Sequence, residues 1–199
     1  TGSPMRVRWP ALKRQIELQE GETGLKIPVD VEGADYLLVL SSMEIIGYPE
    51  ILGALARIFR QAGLSWTLPS AGFEATNVGV QIGSREVAAA LLSRIVDAAE
   101  RLKVKYVISP ECGHAYSALR WEGPNLLGRP YSFKVVQIIE LLDQLVREAR
   151  LRTRGKDVRR LTFHDPCQIV RRGGVSQAPR RLMHGVSEAF VEMPASGAA

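Results

Sequence analysis

Short apolar runs alternate along the chain with longer segments in which apolar residues recur every three or four positions. Runs of this kind, rich in β-branched residues, are typical of strands buried on both faces of a parallel sheet. The predicted strands are Ala34–Leu40, Leu64–Leu68, Val104–Ser109, Arg159–Phe163 and Ala189–Met193. Helices are predicted between successive strands, long enough to serve as crossovers. The pattern therefore predicts an α/β fold, a Rossmann-like three-layer sandwich with a mostly parallel sheet.

Capping residues give the predicted helices their ends. Pro49 suits the first turn of one helix and Gly63 its carboxyl end, while Ser84 caps a second helix that runs to about Leu102. Ser132 is predicted to cap a third helix, and Pro179 to open a fourth. The apolar stripe of the third helix is Val135, Val136, Ile139, Leu142, Leu145 and Val146.

Three further segments are less regular. A short helix is expected over Ala11–Glu20, and Trp121–Pro130 is predicted to be a loop because it contains two prolines and two glycines. The Gly-rich segment Ser70–Gly83 is also predicted to be irregular. Its polar residues Glu74 and Asn77 are interpreted first as loop architecture.

Composition places the chain among soluble globular proteins. Its 199 residues suffice for one α/β domain, and 46% hydrophobic with 24% charged residues argues against disorder. No apolar run approaches the roughly 20 residues that span a bilayer, and no signal-peptide pattern precedes the first strand. We therefore expect a cytoplasmic protein that does not itself span a membrane.

The net charge of +5 comes largely from arginines, in Arg147–Arg160 and at Arg171, Arg172, Arg180 and Arg181. No aromatic residues interleave with these charges, so a solvated surface is favoured over a nucleic-acid interface. An acidic protein partner would suit the same charge.

Both cysteines of the chain, Cys112 and Cys167, follow predicted strands, each with a histidine within three residues, His114 and His164. The carboxyl ends of parallel strands are where α/β proteins bind ligands, so we expect the two turns to face one crevice. In an intracellular chain such cysteines are more often metal-binding or catalytic than joined in a disulfide.

Several chemistries suit these residues. The four side chains are acceptable zinc ligands, although neither turn has the spacing of a structural zinc module. A cysteine–histidine nucleophile is an alternative, but no oxyanion site is evident. The chain has no Walker A sequence and no GxGxxG, so nucleotide binding has no local support.

The motif HDPC, followed by QIVRRGGV, APRRLM and FVEM, resembles the cysteine-rich CCG domain of heterodisulfide reductases and related iron–sulfur oxidoreductases. SPECGHAYSAL resembles the segment in which that family places a CxxC pair. The resemblance implies a [4Fe-4S] cluster at which disulfides are cleaved, and partner subunits that carry electrons. It makes Cys112 and Cys167 cluster ligands. His114, His164 and Asp165 would surround the ligands without being ligands themselves.

The chain also departs from the family pattern. Ser109 replaces the first CxxC cysteine, the turn after the first strand reads SSMEI, and the Ser70–Gly83 loop has no cysteine pair. The family's CCG and final CxxC segments do not follow FVEM. We therefore expect a truncated or ligand-poor member that holds no complete cluster as it stands.

The expected division is an expression scar (1–4), an N-terminal extension (5–33), a degenerate first CCG-like module (34–150) and an incomplete second module (151–199). The predicted function is that of a domain in a heterodisulfide-reductase-like enzyme, cytoplasmic or peripheral to a membrane complex. Other redox subunits and a disulfide or thiol substrate would be its partners, and nucleic acid would not. The alternatives are a non-catalytic docking module of a redox complex and, ranked below it, a zinc-binding structural protein.

Overall fold

A sheet of four parallel strands forms the centre of the fold in the computed structural model, which describes residues 6–75, 78–109, 112–153, 155–194 and 196. The strands are β1 (Tyr36–Leu38), β2 (Trp66–Thr67), β3 (Tyr106–Ser109) and β4 (Lys134–Gln137), and their order across the sheet is β2-β1-β3-β4. Tyr36 pairs with both Trp66 and Tyr106, and Tyr106 pairs in turn with Lys134.

Helices lie along both faces of this sheet. They are α1 (Trp9–Thr23), α2 (Ser42–Ile46), α3 (Glu50–Gln61), α4 (Val78–Gln81), α5 (Arg85–Arg101), α6 (Gly113–Ser117), α7 (Gly123–Leu127), α8 (Ile138–Arg147) and α9 (Gln177–Val186). Two π-helical turns, Ala118–Glu122 and Cys167–Arg171, connect some of them. None of the helices in the described part of the chain is long and apolar enough to cross a membrane.

The core consists of two apolar clusters, because side chains along each strand point alternately to the two faces of the sheet. Leu38 and Ile108 pack in one cluster with residues of α1, α3 and α8. Leu37 and Val107 pack in the other with residues of α5, α6 and the second π-helical turn. Because neighbouring residues of a strand point to opposite faces, one short strand serves both clusters. The predicted α/β class with a mostly parallel sheet is confirmed.

Two of the predicted helix ends agree with the structure in detail, and a third differs by one residue. The hydroxyl of Ser84 accepts a hydrogen bond from the backbone N–H of Val87 (3.2 Å), as expected of a cap. Gly63 has a φ of 61° just beyond α3, where a residue with a side chain would be strained. Pro49 precedes α3, one position before the first turn in which it was expected.

The predicted helix start at Ser132 is wrong. Residues Lys134–Gln137 form β4 against β3, and the helix begins only at Ile138. Val135 and Val136, assigned to a helical stripe, are consecutive β-branched residues, which suit a strand better than a helix. Gln137 is the true cap, and its side chain accepts from the N–H of Ile139 (2.5 Å).

The predicted loop over Trp121–Pro130 is largely helical. The π-helical turn continues to Glu122, and α7 follows from Gly123. Pro124 is tolerated because the first turn of a helix has no internal partner for a backbone N–H. Gly128, with a φ of 66°, ends the helix. The short N-terminal helix is also longer than Ala11–Glu20, and Leu12 and Ile16 of α1 are buried in the core.

The last two strands form a sheet of their own. β5 (Asp157–Leu161) and β6 (Ser187–Phe190) are parallel to each other, with α9 as their crossover, and do not join the central sheet. The sequence places both strands two or three residues too late, and α9 begins at Gln177 rather than Pro179. Three consecutive exposed residues in β5, with Val158 73% exposed, explain why this strand does not enter the centre of a sheet.

Candidate functional site

The first cysteine lies where the chain leaves β3. Cys112 caps the start of α6, and its carbonyl oxygen accepts from the N–H of Tyr116 (3.0 Å). Its side chain is half-buried against the apolar cluster that contains Tyr116 and Leu119. Pro110, predicted to stop the strand, and Glu111 lie outside the described residues.

The second cysteine lies at the start of a π-helical turn. Pro166, in an extended conformation, precedes Cys167, whose thiol is exposed. The carbonyl oxygen of Pro166 accepts from the N–H of Val170 (2.8 Å), and that of Cys167 accepts from the N–H of Arg172 (2.8 Å). These bonds hold the backbone of the turn while the sulfur remains accessible.

The two cysteine turns are in direct contact. A Cβ atom placed on Gly113 would lie 2.9 Å from the Cβ of Gln168 and 3.0 Å from the Cγ1 of Ile169. Gly113 follows Cys112 and Gln168 follows Cys167, so the packing joins the residues directly after each cysteine. Only glycine permits this approach. This contact is consistent with the expectation that the two turns face one crevice.

The two histidines do not complete a metal site with the cysteines. His114 and His164 are both exposed, and within the ranges that the structure describes no three His, Cys, Asp or Glu side chains are grouped to hold a metal. The four-ligand zinc arrangement is therefore not assembled. An iron–sulfur cluster with four thiolate ligands is not accommodated either, because the chain supplies two cysteines.

Asp165 has a partner that the sequence did not indicate. Arg180 of α9 donates a hydrogen bond to Oδ2 of Asp165 (3.0 Å), lies at ion-pair distance from Oδ1 (2.9 Å) and also pairs with Glu192 (2.7 Å). The side chains of Asp165 and Arg180 are 5% and 15% exposed. Burial lowers the pKa of Arg180, but the hydrogen bonds to Asp165 and Glu192 outweigh it and leave that pKa raised. The pair stabilises the turn two residues before Cys167.

The neighbouring arginine fixes α9 to α8. Arg181 binds both carboxylate oxygens of the buried Asp143 (2.8 and 2.6 Å), and Arg147 also contacts Asp143 (3.1 Å). The hydrogen bond from Arg181, assisted by its charge, lowers the pKa of Asp143 although burial opposes this. Interpreting Arg180 as solvated surface is therefore wrong. Arg181, Arg171 and Arg172 are exposed as expected, although Arg181 is also paired with Asp143.

Polar side chains lie in the segments where the resemblance led us to look for cysteines. The hydroxyl of Ser42, in the turn after β1, donates to the buried carboxylate of Glu74 in the loop after β2. Backbone bonds join the same segments, since Ala75 N–H donates to Leu40 (2.8 Å). Ser109 at the end of β3 is fully buried. Glu74 thus has the architectural role expected of it, while Asn77 lies outside the described residues.

Several of the similar proteins are named as components of heterodisulfide reductases or Hdr-like menaquinol oxidoreductases. Over 176 residues the chain is 28% identical to a dihydromethanophenazine:CoB–CoM heterodisulfide reductase subunit of Methanosarcina acetivorans, covering 84% of this chain and 42% of that protein. Over 205 residues it is 27% identical to the Hdr-like menaquinol oxidoreductase iron-sulfur subunit of Archaeoglobus profundus, covering 83% and 37%.

A third relative has a membrane-related name. The probable membrane-anchored ferredoxin of Chromohalobacter salexigens is 26% identical over 177 residues, which cover 87% of this chain and 26% of that protein. No protein-family model matches the chain, and no solved structure matches it with significance. The chain spans about two-fifths of the length of the first two relatives.

Proposed function

We propose that this chain is a domain of a heterodisulfide-reductase-like iron–sulfur oxidoreductase and carries part of a [4Fe-4S] binding site. The contact of Gly113 with Gln168 and Ile169 carries the proposal, because it brings the turns of Cys112 and Cys167 together. The relatives, named as heterodisulfide reductase and iron-sulfur subunits, support a redox role.

In this proposal Cys112 and Cys167 supply two thiolates, and the remaining ligands come from other parts of the complete protein. Asp165 and Arg180 hold the Cys167 turn in place, and His114 and His164 are solvent-facing groups beside it. The bound group would supply electron transfer to a disulfide-type substrate. Partner redox subunits would deliver two electrons, which with two protons convert one disulfide into two thiols.

The division into modules is part of the same proposal. Residues 34–150 correspond to a first CCG-like module without a cluster, in which Ser42 and Glu74 bond to each other. Residues 151–199 correspond to the beginning of a second module. A sheet of only two parallel strands, with Val158 exposed, supports this because its edges are open to pairing with further strands. A location at the cytoplasmic side of a membrane complex fits the proposal.

The test is iron and sulfide quantitation with a visible absorption spectrum after anaerobic reconstitution. It compares this chain with a longer chain that spans the length of the relatives. We expect a full cluster complement in the longer chain only, lost in Cys112→Ser and in Cys167→Ser. Arg57→Ala, which replaces an exposed arginine of α3, is the control and should retain the iron. A longer chain that binds no iron, or binds it equally well without Cys112 and Cys167, would refute the proposal.

A second candidate is a docking module without a cluster. Met43, Ile46 and Tyr48, after β1, are each more than half exposed, and grouped apolar side chains of this kind mark protein contacts. The double variant Cys112→Ala/Cys167→Ala distinguishes the two functions. A docking module would still assemble with its redox partners and leave their activity unchanged, whereas a cluster-binding domain would assemble into an inactive complex.

A further inference from the structure

A cavity of about 510 Å³ lies away from the cysteine turns, between the start of α1, the loop after β2 and the second half of α5. Its size is within the range of small-molecule sites. Val7, Phe73 and Ala98, each buried by its neighbours, contribute apolar surface to the lining. Trp9 also lines the cavity, with its ring centroid 6.3 Å from that of Phe73 and the two rings tilted by 48°.

Charged side chains of mostly one sign complete the lining. Arg8, Arg94 and Arg101 contribute three positive charges, and Asp97 contributes one negative charge. Arg101 is paired with Asp30 (3.2 Å), whereas the ion pairs found among the described residues involve neither Arg8 nor Arg94. Two guanidinium groups are thus available to a ligand.

The start of α1 adds a field of the same sign. The helix begins at Trp9, within the lining, and its first turn contains no acidic residue. The positive end of the helix dipole is therefore not compensated locally and favours an anion beside it.

The walls of the cavity are held in place before any ligand arrives. Gly72 has a φ of 75°, and a Cβ atom on it would lie 2.3 Å from the carbonyl oxygen of Arg94, so the loop rests directly on α5. Asp30 accepts from the N–H of Ser70 (3.0 Å) while it pairs with Arg101, which ties the loop to the end of the same helix. A preformed site of this kind costs little ordering on binding.

We propose that this cavity binds a small aromatic anion, a planar ring that carries phosphate or carboxylate groups, as in a mononucleotide. The ring packs on Trp9 and Phe73, and the anionic group is bound by Arg8 and Arg94. The site shares no residue with the cysteine turns and does not depend on the function proposed for them. It also has no sequence motif, because its parts come from three separated segments.

The test is a titration of this chain with ADP and with FMN, followed by tryptophan fluorescence and by calorimetry. At least one of the two should bind, and adenosine and inorganic phosphate should each bind at least tenfold more weakly than the better nucleotide. Arg94→Ala and Arg8→Ala should each weaken that binding about tenfold, as the loss of a charge-assisted hydrogen bond does. Trp9→Leu should weaken it while leaving the binding of phosphate unchanged.

Arg57→Ala is the matched control, because Arg57 is an exposed arginine on α3 outside the cavity lining. It should leave the affinity unchanged. The proposal is overturned if neither ADP nor FMN binds, if adenosine or phosphate binds as well as the nucleotides do, or if Arg57→Ala weakens binding as much as Arg94→Ala. Far-ultraviolet circular dichroism of each variant confirms that the fold persists.

Discussion

Replacing Arg180 by methionine should destabilise the protein strongly for a single substitution on α9. Methionine retains most of the apolar volume of the side chain but removes the guanidinium group. Asp165 would then keep its carboxylate in a site where its side chain is 5% exposed, after losing its ion pair and hydrogen bond with Arg180. Removing one partner of a buried ion pair is costly, because the remaining charge loses an interaction that offset its burial.

The size of the expected loss of stability follows from the burial of Asp165, Arg180 and Glu192. Loss of one partner from a buried ion pair costs about 3–5 kcal/mol. Arg180 is 15% exposed and its second partner, Glu192, is 42% exposed, so that second contact contributes little. We therefore expect Arg180→Met to lower the free energy of unfolding by about 2–4 kcal/mol.

The assay is urea unfolding followed by circular dichroism, with Arg172→Met as the matched control. Arg172 is exposed and near the same turn, so its substitution should change stability by less than about 0.5 kcal/mol. The double variant Asp165→Asn/Arg180→Met should recover at least about 1 kcal/mol relative to the sum of the single effects. The reasoning fails if Arg180→Met costs no more than Arg172→Met, or if the two substitutions are simply additive.

Two further predictions concern α9 and the cysteine turns. Because Arg181 lowers the pKa of Asp143 in the folded state, the ionised carboxylate stabilises the fold above its ordinary pKa of 3.8, and this contribution is lost as the pH falls through the folded value. Urea unfolding at several pH values should show Asp143→Asn less stable than the wild type at pH 7, with a difference that shrinks below about pH 4. Gly113→Ala should cost about 1–3 kcal/mol through overpacking against the Cys167 turn. Thermal unfolding measures this cost, with Gly185→Ala, within α9, as the control. That substitution should be neutral or stabilising, because the nearest atom to an added Cβ there lies 3.7 Å away.

The sequence predicts the central architecture because the signals there are local. Runs such as Ala34–Leu40 are apolar enough to specify a buried strand, and residues such as Ser84 and Gly63 specify helix ends by their own chemistry. The missed strand, Lys134–Gln137, shows the limit of the same method. Its valines lead directly into an amphipathic helix, so one apolar stripe continues through both, and only pairing with β3 separates them.

The sequence singles out the cysteines of the candidate site, and their role stays a prediction, but it does not indicate the side chains that support their turns. Cysteines after two predicted strands suggest a shared site, and Gly113 does contact Gln168, although the strand before Cys167 belongs to the separate two-stranded sheet and not to the central one. The role of Arg180 depends on a helix that returns beside the turn, which no local pattern indicates. An arginine pair in a basic segment has the same appearance whether it is solvated or bound to buried carboxylates.

The side chain of Arg180 joins three short motifs of this chain. Asp165 belongs to HDPC, Arg180 to APRRLM and Glu192 to FVEM, and one guanidinium group contacts both carboxylates. Arg180 also donates to the carbonyl oxygen of Ser176 (2.8 Å), which fixes its own position at the start of α9. The charged residues of these motifs therefore hold the Cys167 turn in place. Cys167 itself takes no part in these ion pairs and is exposed. A turn so firmly supported, presenting an accessible thiol beside a second cysteine turn, is what a site that binds a ligand through sulfur requires.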